Sequence, residues 1–152
     1  MGKILMLYAS TTGNTELMAE AMTVWLEHQG HTVITKTFDF DPIYVEELPD
    51  YDGVLIGTHT WDDGELPYEV EDFYDELEEE YVAGNVFGVF GAADSFYDTY
   101  GGAVDLLTAR LKNLGGILIP ESLKSDLTPN TEDIRNCEQF AADLAALTAN
   151  PV

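Results

Sequence analysis

The chain has 152 residues, of which 45% are hydrophobic, and a formal net charge of −23. This length predicts one domain, spanning residues 1–150, and the apolar fraction is sufficient for a buried core. The charge excludes a general affinity for nucleic acid, because phosphates would be repelled, and it favours basic protein partners. No apolar run reaches the length of a membrane span, and the first residues lack the pattern of a signal peptide. We therefore expect a cytoplasmic protein without membrane insertion, and a monomer.

The first apolar run, Ile4–Tyr8, is short and nearly continuous, which is typical of a strand buried on both faces. A helical pattern follows over Thr15–His28, and one face of it combines Leu17, Met18, Ala21, Val24 and Trp25. Thr32–Phe38 alternates in polarity and predicts a second strand, and Gly53–Gly57 predicts a third. Between these two strands the sequence allows only a short helical turn within Ile43–Leu48.

The second half of the chain continues the alternation. Helices are predicted over Tyr68–Glu80, Gly102–Leu114 and Thr131–Leu147, and strands over Val86–Gly91 and Ile117–Ile119. Gly30 and Gly115 stand where helices are expected to end. The repeated strand–helix–strand order predicts an α/β fold with a parallel sheet and helices on both faces.

Cys137 is the single cysteine of the sequence, so an internal disulfide and a cysteine-bound iron–sulfur cluster are both excluded. Its place in a helical pattern predicts a small buried or half-buried apolar residue. The three histidines, His28, His31 and His59, are scattered along the chain, and no metal site is predicted.

Six small polar residues, Ser10-Thr11-Thr12-Gly13-Asn14-Thr15, connect the first strand to the first helix. In an open α/β sheet, ligands bind beyond the carboxyl ends of the strands, where a helix start directs N–H groups at them. This loop has hydroxyl and amide donors but no lysine or arginine, so it matches neither the Gly-Lys-Ser/Thr loop of triphosphate-binding proteins nor the three-glycine dinucleotide fingerprint. It favours a phosphate monoester. The alternative is a turn in which Thr12 or Asn14 caps the helix.

Two further loops are predicted at the same edge of the sheet, over residues 58–67 and 91–102. Each combines large aromatic residues with small and polar ones, a composition that suits the stacking of a flat ring. The alternative is that Trp61, Phe96 and Tyr97 fold back onto the core.

The three loops together carry a family resemblance. The motifs are Ser-Thr-Thr-Gly-Asn-Thr after the first strand, Thr-Trp-Asp-Asp-Gly after the third, and Asp-Ser-Phe-Tyr followed by Tyr-Gly-Gly-Ala-Val-Asp after the fourth. In order and spacing the chain resembles the flavodoxins over essentially its whole length. It resembles their short-chain form, because residues 116–127 leave no room for an extra loop. The resemblance implies a flavodoxin-like doubly wound sandwich, with a five-stranded parallel sheet in the order 2-1-3-4-5.

The resemblance also implies non-covalently bound FMN and assigns residues to it. The FMN phosphate should be bound by Ser10, Thr11, Thr12, Gly13, Asn14 and Thr15. Thr58 and Thr60 should help to enclose the phosphate and the ribityl chain. Trp61 and Tyr97 match the aromatics on the inner and outer faces of the flavin ring, and the backbone around Asp94 should meet its pyrimidine edge. The same loops supply the remaining predicted cofactor contacts, His59, Asp62, Gly64, Gly91, Ala92, Ala93, Phe96 and Asp98.

By this resemblance the protein is an electron carrier rather than an enzyme, with no catalytic residues of its own. Adding negative charge among Asp62, Asp63, Glu65, Asp94 and Asp98 is unfavourable, so we expect a low-potential carrier that works mainly through the semiquinone/hydroquinone couple of FMN. The chain departs from many family members at Asp62, where they have glycine. The implied partners are basic reductases of the flavodoxin/ferredoxin-NADP type and redox-enzyme acceptors, docking on an acidic rim around the flavin.

Two other functions compete with the carrier. The first is an FMN-dependent quinone reductase, or a specialised flavin reductant of another enzyme, which would need a substrate pocket over the flavin. Tyr97 is expected to cover that face, which disfavours a pocket there. The second is a response-regulator receiver on the same fold, which needs aspartates at the end of the first strand. Here that strand ends in Tyr8-Ala9-Ser10, so a receiver is disfavoured.

Overall fold

A computed structural model describes residues 2–9, 13–38, 40–58, 66–93, 102–119, 122–126 and 130–148. Its centre is a parallel sheet whose strands follow the order β2-β1-β3-β4-β5, with a sixth strand, β6, also paired with β4. The strands are β1 (Lys3–Tyr8), β2 (Thr32–Thr37), β3 (Gly53–Gly57), β4 (Val86–Ala93), β5 (Ile117–Leu118) and β6 (Leu123–Asp126). The predicted fold class and strand order are therefore confirmed.

The fifth position in the sheet is filled by two short strands rather than by one. β5 pairs Ile117 with Val86, whereas β6 pairs Leu123 with Phe90. Paired residues are 31 positions apart in sequence in the first pair (117 − 86) and 33 apart in the second (123 − 90). The chain between β5 and β6 is therefore two residues longer than the stretch of β4 that it runs beside. The sequence between them contains Pro120, which has no N–H to donate to a ladder. The prediction of Ile117–Ile119 included only the first segment.

Five α-helices and one 3-10 helix are present among the described residues. They are α1 (Asn14–His28), the 3-10 helix Val45–Asp50, α2 (Tyr68–Glu76), α3 (Glu79–Val82), α4 (Gly102–Asn113) and α5 (Thr131–Thr148). Gly30 and Gly115 follow α1 and α4 with φ of 92° and 90°, as expected of glycines that end helices. No helix in the described part of the chain is long and apolar enough to cross a membrane.

The predicted single helix over Tyr68–Glu80 is wrong, because the structure divides it into α2 and α3. Leu77 leaves the helical conformation, with φ −62° and ψ 131°, while its side chain stays buried. The break keeps the side chain of Leu77 in the core.

Two apolar layers cover the sheet, one on each face. Alternate residues of the central strands, such as Leu5 and Val54, contact the 3-10 helix, α2, α3 and α4 on the first face. Their neighbours, such as Met6 and Leu55, contact α1 and α5 on the second face. This period-two division makes the strands apolar on both sides, which explains their nearly continuous hydrophobicity.

The buried face of α1 differs from the predicted one. Its buried residues are Thr15, Met18, Ala19, Met22 and Leu26, whereas Leu17 and Val24 are 43% and 56% exposed. α1 is apolar around most of its circumference, so the sequence alone did not fix its rotation. Contact with α5 on the same side of the sheet favours the stripe through Met18, Met22 and Leu26.

The thiol of Cys137 lies in the layer between α5 and the sheet, as predicted for a buried residue. Burial, followed by the negative charges of Asp133 and Glu138, raises the pKa of this thiol from 9.0 to about 12. The folded state therefore favours the neutral thiol. The stability that this preference provides is complete below pH 9.0 and is lost as the pH rises towards 12.

We expect Cys137 to resist thiol reagents in the folded protein. At a pH of about 8, labelling with a chromogenic disulfide should be many-fold slower in the native protein than in denaturant, because the reactive thiolate is both buried and disfavoured. A Cys137→Ala variant gives the blank for the reaction. Full labelling of the native protein at the rate of a free thiol would contradict this burial.

Candidate functional site

The carboxyl ends of β1, β3 and β4 lie side by side at one edge of the sheet. The N–H of Ala9, just after β1, donates to the Gly57 carbonyl at 3.0 Å, and the N–H of Thr58 donates to the Phe90 carbonyl at 3.1 Å. These bonds continue the sheet to the points where the three loops begin. The sequence predicted that these strand ends converge. Their convergence places the first residues of each loop within one network of backbone hydrogen bonds.

A buried hydroxyl links the first loop to the third. Thr15, in the first turn of α1, is 1% exposed, and its Oγ1 accepts a hydrogen bond from the N–H of Ala92 at 3.2 Å. Ala92 lies near the end of β4, immediately before the loop that should contact the flavin ring. The oxygen of Thr15 is the acceptor in this bond, so the hydroxyl proton takes no part in it.

Two glycines allow the strand ends to approach this closely. A Cβ at Gly57 would come within 2.5 Å of the Phe90 ring and 2.9 Å of Thr15 Cγ2. A Cβ at Gly91 would overlap the carbonyl oxygen of Thr58. Both positions therefore require glycine for space rather than for a special backbone angle. We call Thr15, Gly57, Thr58, Gly91 and Ala92 the loop junction.

The start of α1 is formed by Gly13 and Asn14. Gly13 precedes the helix in the left-handed conformation, with φ 87°, and it provides no side-chain cap. Apart from its two chain neighbours, no described residue has an atom within 4 Å of the position that a Cβ of Gly13 would take. A residue without a side chain, in front of a helix start with its partial positive charge, leaves room for an anion to approach the backbone.

The electrostatics of this edge depend on neutral donors. The sequences of the three loops, residues 9–13, 58–67 and 94–101, contain no lysine or arginine. Ion pairs are formed between Lys36 and Glu47 at 3.4 Å, and between Asp105 and Lys124, which lies opposite Gly91 in the β4–β6 pairing, at 2.9 Å. An anion bound at the helix start would therefore rely on N–H groups and hydroxyls.

Seven of the predicted cofactor residues are described, and the structure brings them to one edge. Thr58 is fully buried, as is Thr15, whereas Gly13 and Asn14 are half-buried at the start of α1. Gly91, Ala92 and Ala93 form the end of β4. The other predicted contacts lie outside the described residues: Ser10, Thr11, Thr12, His59, Thr60, Trp61, Asp62, Gly64, Asp94, Phe96, Tyr97 and Asp98.

Sequence reasoning missed two features of the junction. Gly57 was assigned only to a strand, and the bond between Thr15 and Ala92 was not anticipated. The sequence did contain a signal for the close packing at Gly57, since a glycine within or at the end of a buried strand often marks a close backbone approach. No local signal identifies the hydrogen bond between Thr15 and Ala92, because these residues are 77 positions apart in the sequence.

Comparison with known proteins is consistent with this geometry. The family model "Flavodoxin" matches residues 6–140. The chain is 38% identical over 147 residues to a flavodoxin from Maridesulfovibrio salexigens, an alignment that covers 94% of this chain and 99% of the relative. The chain belongs to the flavodoxin family. As a short-chain flavodoxin it binds FMN and carries electrons between redox partners, rather than converting a substrate.

Solved structures agree with this assignment. Oxidised flavodoxin 1 from Bacillus cereus superposes with a TM-score of 0.87 at 36% identity, covering 95% of this chain and 97% of the other. Flavodoxin 2 from the same organism gives a TM-score of 0.85 at 39% identity, covering 95% and 99%. The alternative of a quinone reductase or a specialised flavin reductant is not favoured. Among the described residues, no group of histidine, cysteine and acidic side chains could hold a metal ion.

The described residues fit an FMN phosphate. Among the described residues, none beyond its chain neighbours comes within 4 Å of a Cβ placed at Gly13, and the hydrogen bond from Ala92 uses the oxygen of Thr15 but not its hydroxyl proton. The same hydroxyl oxygen accepts a hydrogen bond from β4. A phosphate bound at the helix start would therefore be connected through the Thr15 side chain to the strand that precedes the predicted flavin-ring loop.

The junction predicts a specific response to substitution of Thr15. Thr15→Val keeps the shape but leaves the buried N–H of Ala92 without its acceptor, which should lower the free energy of unfolding by about 1–3 kcal/mol. Thr15→Ser keeps the oxygen and should retain most of the stability. The measurement is chemical denaturation of both variants, followed by FMN titration of each. Equal stability and equal FMN affinity for the two variants would contradict a structural and binding role for this hydroxyl.

Proposed function

We propose that this flavodoxin is a single-domain, low-potential electron carrier, with one FMN site built over the loop junction. The observation that carries this proposal is the bond from the Ala92 N–H to Thr15 Oγ1, because it joins the predicted phosphate loop to the predicted ring loop. FMN supplies the electron-carrying chemistry when it is bound. The chain supplies the binding, the orientation and the electrostatic field.

In this proposal the phosphate lies at the start of α1, where Gly13, Asn14 and Thr15 meet the loop of Ser10, Thr11 and Thr12. Thr58 and Thr60 enclose the ribityl side. The ring lies between Trp61 and Tyr97, over the backbone that continues from Gly91, Ala92 and Ala93 towards Asp94. The fixed spacing of the three strand ends supports this arrangement, since a rigid base is needed to align three separate loops on one ligand.

The low potential follows from charge. An electron added at this edge enters the field of a protein with a net charge of −23, and the three loops contain no lysine or arginine to offset it. Neutral donors bind the phosphate without adding a fixed positive charge near the ring. The protein therefore binds the anionic group tightly while it disfavours further negative charge on the cofactor.

The proposal also includes the domain, the oligomeric state, the cellular location and the partners of the protein. Residues 1–150 form one FMN-binding domain, which works as a monomer in the cytoplasm. Its donors are basic reductases of the flavodoxin/ferredoxin-NADP type, and its acceptors are redox enzymes that dock over the flavin edge. The charge of −23 supports basic partners, because opposite charge accelerates encounter and excludes acidic competitors.

The test of the carrier function is a coupled assay. FMN-loaded protein should transfer electrons from NADPH and a ferredoxin–NADP reductase to cytochrome c, with a rate that rises with protein concentration. The same protein with NADPH and a quinone, but without the reductase, should show no turnover, because the carrier lacks a substrate site of its own. Turnover with NADPH and quinone alone, or no gain in cytochrome c reduction, would contradict the proposal.

A further inference from the structure

The end of β4 extends past the register that it shares with β3. The β3–β4 pairing ends at Gly57 opposite Phe90, three residues before the end of β4. These three residues, Gly91, Ala92 and Ala93, are predicted cofactor contacts, and residues 94–101 follow them directly. We call residues 94–101 the flavin-ring loop, because the resemblance assigns them to the ring of FMN. The direction in which this loop leaves the sheet depends on what supports the end of β4.

The short strand β6 runs beside this end of β4. Its four residues, Leu123–Asp126, pair in parallel with residues 90–93. β5 pairs with Val86 and Phe87 instead, at the beginning of β4, so the two short strands divide the edge between them. β6 therefore supports the part of β4 that leads directly into the flavin-ring loop.

The other end of the flavin-ring loop is the start of α4, and it contacts the same edge. A Cβ at Gly91 would lie 2.9 Å from Cγ2 of Val104, so Val104 packs closely over this glycine. Lys124 is opposite Gly91 in the β4–β6 register. Its Nζ donates to Oδ2 of Asp105, the next residue of α4, at 2.9 Å. Val104 and Asp105 thus contact neighbouring positions of β4 and β6.

The ion pair between Lys124 and Asp105 connects the two ends of the flavin-ring loop. Backbone pairing joins β6 to Ala93, where the loop begins, and the Lys124 side chain joins β6 to the first turn of α4, where the loop ends. The spacing of these two ends is therefore set by one side chain together with the packing of Val104. A loop whose ends are fixed loses less conformational entropy when it orders around a ligand.

The charge of Lys124 is singular in this part of the sequence. Residues 86–109 and 123–126 contain no other lysine or arginine, and the whole chain has 6 against 29 acidic residues. The side chains of Lys124 and Asp105 are 24% and 60% exposed. An ion pair with this much solvent contact contributes little to global stability. Its main effect is therefore local, on the position of the start of α4.

We propose that Lys124 is a positioning residue for FMN, which acts by pairing with Asp105 and so fixing the start of α4 relative to the end of β4. This inference rests on the proposed FMN site and adds to it a segment, β6, from which no cofactor contact was predicted. Lys124 acts through the ends of the flavin-ring loop, and its contribution is the alignment of that loop with the flavin ring.

A purely electrostatic role for Lys124 makes a different prediction. In that case the cation would attract the FMN phosphate over a long range, and the carboxylate of Asp105 would repel it. Neutralising Asp105 would then strengthen the binding of FMN. If the ion pair positions the loop, neutralising either partner weakens the binding, because either change breaks the pair.

The test measures the dissociation constants of FMN and riboflavin for the FMN-free protein, by quenching of flavin fluorescence. Lys124→Met and Asp105→Asn should each raise both constants by about threefold, an effect within the range of a partly exposed ion pair. The double variant should raise them no further than either single variant, because the same pair is lost in all three. Riboflavin has no phosphate, so a weaker affinity for it reports on the ring loop.

Two variants serve as controls. Lys36→Met removes the same charge and breaks the ion pair with Glu47, whose side chains are 26% and 42% exposed, between β2 and the 3-10 helix. It should leave the riboflavin constant unchanged. Lys124→Arg keeps the charge and should retain both constants. The visible absorption spectrum of bound flavin should change in Lys124→Met but not in the two controls, and chemical denaturation of the FMN-free variants checks that each one is folded.

The outcomes separate this inference from the proposed function. Tighter FMN binding by Asp105→Asn, equal riboflavin constants for Lys124→Met and Lys36→Met, or additive effects in the double variant would each overturn the positioning role. The proposed FMN site stands in these cases, because the unsubstituted protein still binds FMN. An unsubstituted protein that binds neither flavin would overturn the proposed function itself.

Discussion

The hydrogen bond between the Ala92 N–H and Thr15 Oγ1 is the interaction on which the functional edge depends. It is buried and joins α1 to the end of β4 across β3. Around it, Gly57 and Gly91 allow Thr15, Phe90 and Thr58 to approach more closely than any larger residue would permit. A loop that starts from such a base has its direction set by the core, so three loops can meet one ligand with little rearrangement.

Charge is organised at two levels in this flavodoxin. In the proposed site, a helix start and hydroxyl groups take the place of the basic residues that often bind phosphate, so the cofactor edge stays negative. Along the sequence, 20 of the 29 acidic residues lie between Lys36 and Arg110. In the account proposed here, the same negative field keeps the potential low and orients basic partners, so one property of the composition serves both steps of electron transfer.

Much of the fold could be predicted from the sequence because its signals are local. Continuous apolar runs indicated the central strands, and Gly30 and Gly115 indicated the ends of helices. The predictions were wrong where contacts between distant segments determine the local structure. The rotation of α1 depends on α5, and β6 depends on pairing with β4.

The candidate site was predictable to a similar extent. The loop motifs identified the family, which comparison confirmed, and they predicted the edge of the sheet at which the site is proposed. The contact between Thr15 and Ala92 and the need for glycine at positions 57 and 91 result from packing between distant segments, which a single sequence does not reveal.

The most direct test of a phosphate site made of neutral donors compares FMN with riboflavin, which lacks the phosphate. The FMN-free protein is titrated with each flavin, and the quenching of flavin fluorescence gives the two dissociation constants. The account predicts that FMN binds at least about tenfold more tightly, a difference of about 1.4 kcal/mol supplied by the helix start and the loop hydroxyls. Equal affinities for FMN and riboflavin would contradict it.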